Sequence, residues 1–161
     1  MFKFGTTGDG ARFKRAMAVV KGNSDFPDIN GTVTFVQKKN GVLVTASISG
    51  LPKGSAESCS DRIFGFHIHE GNSCTGNAQD PFANAKTHYN PYGCAHPFHA
   101  GDLPPLFEND GYAYLSVLTN RFSISEIIGR TVIIHDMPDD FTSQPSGNSG
   151  TKIACGVISV F

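Results

Sequence analysis

Strict alternation of apolar and polar residues, a high density of turn residues and the lack of any long amphipathic helix predict an all-β fold. The expected architecture is a β-sandwich or barrel of about eight short antiparallel strands carrying two long functional loops. The alternation is clearest over residues 42–49, where Val42, Val44, Ala46 and Ile48 face one way and mainly polar partners face the other. The 18 glycines and 9 prolines are spread along the chain and so read as many separate turns. Similar strands can be drawn through residues 16–21, 31–37, 63–69, 112–118, 131–135 and 152–160. Turn signals part them at Lys39-Asn40-Gly41, Pro52-Lys53-Gly54 and Asn109-Asp110-Gly111. Residues 124–128 suit a single helical turn. Residues 70–106 and 136–151 read as loops, and long loops in a compact domain are usually functional.

Length and composition narrow the class further. The 161 residues suffice for one core, read as a domain over residues 15–161 behind an N-terminal tail of residues 1–14. Apolar content of 39% with 17% charged residues is that of a globular chain. A net charge of −1 and a pI near 6.6 give no basis for a nucleic-acid partner. No run approaches the roughly 18 apolar residues of a membrane span. The first residues lack the apolar core of a signal peptide, so the sequence as given points to the cytoplasm, or to the periplasm or exterior where an export signal has been removed.

All six histidines lie between His67 and His135. In Gly-Phe-His67-Ile-His69-Glu, strand alternation sends both imidazoles to one side, about 6.6 Å apart, where they can converge on one metal ion. Phe66 and Ile68 then anchor the strand in the core. Two surface histidines on an exposed strand would give the same pattern. His88, His96, His99 and Asp102 fall within fifteen residues. Three imidazoles and a carboxylate make a closed tetrahedral set of the kind a structural zinc site needs. His135 ends an apolar run and joins the set from a distant strand.

These stretches resemble the copper–zinc superoxide dismutase family. The similarity rests on Gly-Phe-His67-Ile-His69-Glu, His88-Tyr-Asn-Pro, His99-Ala-Gly-Asp102-Leu, Ile128-Gly-Arg-Thr-Val-Ile-Ile-His135 and Gly147-Asn-Ser-Gly-Thr-Lys-Ile-Ala-Cys155-Gly-Val-Ile, in that order. Pro104-Pro105-Leu106 and the short second loop look more like bacterial members than animal ones. The resemblance implies a Greek-key, immunoglobulin-like β-sandwich or barrel. It implies copper on His67, His69, His88 and His135, and zinc on His88, His96, His99 and Asp102, with His88 bridging the two metals. Asp139 matches the carboxylate that ties one histidine of each site. The implied reaction converts superoxide to oxygen and hydrogen peroxide, with His88 and a cation near the copper as its catalytic residues. That cation is an arginine in the family and Lys152 here, which keeps the charge but loses the planar fork. Charged clefts raise anion on-rates by about 10–10³-fold, superoxide dismutases being the standing example.

By the same resemblance Cys74 and Cys155 form a disulfide joining the first loop to the last strand. Cys59 and Cys94 can pair with each other, pair between chains or stay free; Cys59 reads best as a buried apolar residue, and Cys94 lies two residues before His96, close enough to compete for zinc. His96 and His99 are only three residues apart, a shorter spacing than in familiar members. Superoxide is the implied small-molecule partner, and a homodimer is one assembly the family uses. A non-catalytic copper carrier of the same fold is the alternative reading. A zinc hydrolase fits poorly, because three histidines and an aspartate leave no coordination position for water.

Overall fold

The computed structural model describes residues 13–55 and 62–161. Nine strands run antiparallel: β1 (Arg15–Gly22), β2 (Asn30–Lys38), β3 (Gly41–Ser49), β4 (Ile63–Phe64), β5 (Phe66–His69), β6 (Leu106–Phe107), β7 (Tyr112–Thr119), β8 (Thr131–His135) and β9 (Lys152–Val160). Seven of them form one sheet in the order β5-β8-β9-β1-β2-β3-β7, and β4 pairs with β6 in a small second sheet. The expected all-β barrel of about eight strands is what the chain forms. The single helical turn, α1 (Ile124–Ile127), starts at Ser123, whose backbone N–H and hydroxyl both donate to the Glu126 carboxylate at 2.6 Å.

The large sheet curls around one core because its strands keep period two. Along β3 the buried residues are Val42, Val44, Ala46 and Ile48, and along β1 they are Ala16, Ala18 and Val20. These meet Val33, Phe35, Phe66, Ile68, Val132, Ile134 and Ile158 from the other strands. Phe13 packs against this core, and the Lys14 carbonyl already accepts the Gln37 N–H, just ahead of β1.

Strands β5 and β8 depart from simple alternation: every residue in them is buried. Their inward face is the core. Their outward face is covered by the loop from Glu70 to Pro105, which sets Phe82, Ala85 and Cys74 against Ile133 and Cys155. A patch of the barrel's outside is thereby sealed from water, and the histidines lie within it.

Two details differ from the sequence expectation. The strand drawn over residues 63–69 is two strands, broken at Gly65. There the Gly65 N–H donates to Met137 O in the second loop while its carbonyl accepts the N–H of His135 at the end of β8, both at 2.8 Å. A Cβ on Gly65 would come within 2.9 Å of the Ser149 Cβ, so the contact requires glycine. Strand β6, two residues long, begins at Leu106, the last residue of the stretch expected to be loop. Cys59 and the tail through residue 12 lie outside the described residues.

Candidate metal centre

Strand pairing brings the first histidine group together. In the β5–β8 ladder His67 sits opposite Ile133 and His69 opposite Thr131. Period two therefore places His67, His69 and His135 on the sealed outer face. A bulge helps: Ile134 pairs with Ala154 and His135 with Lys152, which leaves Ile153 as an extra residue. Bulges re-aim the side chains beside them. His69 Nε2 lies 3.2 Å from His135 Nε2, and the His67 and His88 ring centroids are 3.9 Å apart. The ligand atoms of His67, His69, His88 and His135 all lie within 4.8 Å of one another, and all four residues are buried.

Hydrogen bonds leave free the ring nitrogens that a metal would use. His69 Nδ1 donates to the Lys86 carbonyl at 2.9 Å, which frees Nε2. Lys86 presents that carbonyl from a left-handed backbone, φ 62°. His67 Nε2 donates to Asp139 at 2.8 Å, and its buried Nδ1 has no partner. The buried His88 Nε2 has none either. Buried polar atoms are rarely left unpaired, so these two nitrogens fit metal donors. Burial, reinforced by neighbouring histidines, lowers His67 from 6.5 to about 4 and holds His69 and His135 well below 6.5. All three are neutral at neutral pH, as metal ligation requires. The donor set fits a copper ion.

The second group is made by one loop. His88 Nδ1 is 2.8 Å from Asp102 Oδ1, while His96 Nδ1 and His99 Nδ1 lie 3.1 and 3.3 Å from Asp102 Oδ2. Three imidazole nitrogens thus surround one carboxylate, all four ligand atoms within 4.8 Å of one another. Burial alone would raise the Asp102 carboxyl, but the His88 hydrogen bond and the histidine charges bring it below the ordinary range. The set fits zinc. The three-residue spacing from His96 to His99 does not prevent convergence. Cys94 is exposed and takes no place in the group.

Asp139 joins the two groups. One oxygen accepts from His67 Nε2 and the other from His96 Nε2, both at 2.8 Å. Burial opposes its charge. The His67, Phe141 and His96 hydrogen bonds outweigh that and leave the carboxyl far below its usual value. Gly147, at φ 69°, passes so close that an added Cβ would overlap Asp139 and His96.

A cleft of about 650 Å³ opens before His69, His88 and His135, and Lys152 stands in its wall. Lys152 donates to Asp80 at 2.5 Å and to the Phe82 carbonyl at 3.3 Å. Three residues further along β9, Cys155 is disulfide-bonded to Cys74.

Sequence reading missed the loop's clamps. Arg121, just after β7, donates from Nη1 to the carbonyls of Pro97, His99 and Asp102 at 3.1–3.3 Å. Gln144 brackets His96, accepting its N–H and donating to its carbonyl. Neither residue sits near a histidine in sequence, and backbone contacts of this kind leave no motif.

An all-β barrel with two adjoining histidine groups, one sharing a carboxylate, has the donor sets for two metal ions. Residues 29–158 match the family model for copper/zinc superoxide dismutase. The chain is similar to superoxide dismutase [Cu-Zn] 2 of Aquifex aeolicus, 34% identical over 146 residues that cover 81% of this chain and 80% of that protein. It is also similar to superoxide dismutase [Cu-Zn] of Legionella pneumophila, at 35% over 136 residues, 80% of this chain and 76% of that one. Extracellular superoxide dismutase [Cu-Zn] of Brugia pahangi is 30% identical over 166 residues, 91% of this chain and 77% of that one. The chain belongs to the copper/zinc superoxide dismutase family, whose metals are copper and zinc. Among the described residues, no helix is long and apolar enough to cross a membrane.

Proposed function

We infer that residues 15–161 form a superoxide dismutase whose copper is held by His67, His69, His88 and His135 and whose zinc is held by His88, His96, His99 and Asp102. One observation carries this reading: His88 belongs to both groups. Its Nδ1 is bound into the Asp102 set, and its buried Nε2 is left without a partner. When bound, copper would supply the Cu(II)/Cu(I) couple through which two superoxide ions and two protons become oxygen and hydrogen peroxide, beside a redox-inert zinc.

The protein's residues supply the rest. His88 Nε2 is the atom that can take a proton from water and pass it to a reduced oxygen species, since Nδ1 keeps the ring in place throughout. The cleft admits a small anion to the face of His69, His88 and His135, and Lys152 is the cation beside it. Asp139 fixes the rotation of His67 and His96, so the ring orientations on both sides are set together. The disulfide and the Lys152 contacts hold residues 74–82 as one wall of the cleft. An open cleft at the copper-side histidines favours turnover over carriage.

The test is to load the protein with copper and zinc, confirm both by metal analysis, and measure superoxide consumption beside His135→Ala. Rapid copper-dependent loss of superoxide that the variant abolishes is the expected result. Stoichiometric copper binding without turnover would overturn the reading in favour of a metal-holding module.

A further inference from the structure

Four formally charged side chains line the cleft: Asp25, Asp80, Lys86 and Lys152. Two are cations and two are anions, so the approach to the copper-side histidines has no net formal charge. The pairing within this set is uneven. Lys152 Nζ donates to Asp80 Oδ2 at 2.5 Å and to the Phe82 carbonyl at 3.3 Å, which commits two of its three N–H groups. The Lys86 ammonium pairs with no carboxylate among the described residues.

The Lys152–Asp80 contact is built in. The Lys152 side chain is 15% exposed and that of Asp80 39%, so water screens the pair less than it would a fully exposed one. Asp80 is held on both sides of its own turn. Its Oδ1 accepts the Phe82 N–H at 3.0 Å, its carbonyl accepts from Asn77 and Ala83, and its N–H donates to Asn77 Oδ1. A short, fixed carboxylate thus occupies the ammonium that faces the cleft. A carboxylate oxygen and a small monovalent oxyanion use the same donors in the same way.

On the reading of the site as a superoxide dismutase, we propose that Asp80 is an internal competitor for the substrate anion: it occupies Lys152, and superoxide meets that cation's full charge only by displacing the carboxylate. Asp80 thereby sets how much of the Lys152 charge an incoming anion feels. Lys86 remains as the unpaired attracting cation at the rim. A carboxylate that merely pinned the loop would predict the reverse outcome on removal, because a loosened wall weakens anion binding.

The experiment is azide titration of the copper- and zinc-loaded protein, followed by visible absorption, for wild type, Asp80→Asn, Lys152→Gln and the double variant. Asp80→Asn is expected to bind azide about 3–10-fold more tightly and to lose that gain more steeply as salt rises. Lys152→Gln should cost more affinity in the Asp80→Asn background than in the wild type. Azide binding by Asp80→Asn that is unchanged or weaker overturns the proposal, as does a gain that survives Lys152→Gln. Asp80→Ser keeps a short acceptor for the Phe82 N–H without the charge, and the same gain is required of it if Asp80→Asn does not fold. A copper-loaded wild type that consumes no superoxide refutes the dismutase reading itself, and with it this proposal. Normal wild-type turnover beside an Asp80 variant without the gain refutes the proposal alone.

Discussion

The two histidine groups share His88 and are tied by Asp139, yet they are built differently. The copper-side group takes three of its four members from paired strands, β5 and β8, whose inner faces are packed into the barrel core. Hydrogen-bonded ladders and buried Phe66, Ile68, Val132 and Ile134 hold those histidines in place. The zinc-side group comes entirely from the loop between His88 and Asp102. Its ends are bridged to β5, His88 opposite His69 and Asp102 opposite His67, but His96 and His99 lie between those bridges and depend on distant clamps: Arg121 on three carbonyls, Gln144 on His96, and Asp139 on the His96 ring. A redox site profits from a rigid frame that changes little between oxidation states. A closed structural site can rely on the ion to finish its own geometry.

This contrast can be broken or sharpened by experiment. His135→Ala should have the largest effect, lowering superoxide turnover well beyond the roughly 100-fold typical of outer-shell changes, while zinc content measured by metal analysis stays near one per chain. Loss of zinc along with copper would show that the two groups are not independently framed. Asp139→Asn keeps one acceptor but cannot take two N–H groups. It should weaken metal affinity by about 10–100-fold, and chelator competition should show the zinc side losing more, because His96 has only loop support.

Acid should act on the metal-free protein in one direction only. His67 is lowered by burial from 6.5 to about 4, so the unfolded chain binds more protons between those values. His69 and His135 shift the same way. Their contribution is intact above about pH 6.5 and is lost progressively as pH falls toward 4. Asp102 and Asp139, with lowered carboxyls, lose theirs below the ordinary value of 3.8. Thermal unfolding of the metal-free protein should therefore show a flat midpoint above pH 7 and a steady fall below it. A midpoint that rises on acidification would contradict the buried, neutral histidines.

Cys74→Ala with Cys155→Ala opens a cross-link spanning 81 residues and should cost at most about 4.5 kcal/mol, read as a lower midpoint in thermal denaturation. The smallest effect expected is that of Arg121→Gln, about 1 kcal/mol for its weakened carbonyl contacts. Chelator competition should find it in zinc affinity and not in copper affinity. Equal losses for both metals would mean that the clamp supports the barrel as a whole.

Much of this centre was legible before any fold was known. His67 and His69 follow from strand alternation. The chemistry of His88, His96, His99 and Asp102 follows from their closeness in sequence. Asp139 was reached only through family resemblance, since nothing local distinguishes it from the neighbouring Asp140. Gly65 as a strand break, Gly147 as a close approach, and the Arg121 and Gln144 clamps were not legible. Each acts through contacts with residues far away in sequence. The loop spacing between His96 and His99 proved compatible with a four-member group, because the loop's remote clamps rather than its length shape it.

By itself, the sequence determined the strands, the candidate metal donors and the class of chemistry, because period two and donor type are local properties of the chain. Only the tertiary structure decided that β5 and β8 are buried on both faces, that a bulge brings His135 level with Lys152, and that Asp80 reaches Lys152 from 72 residues away. Those outcomes depend on which segments the barrel places side by side, and pairing between distant segments is set by the packing of the whole chain.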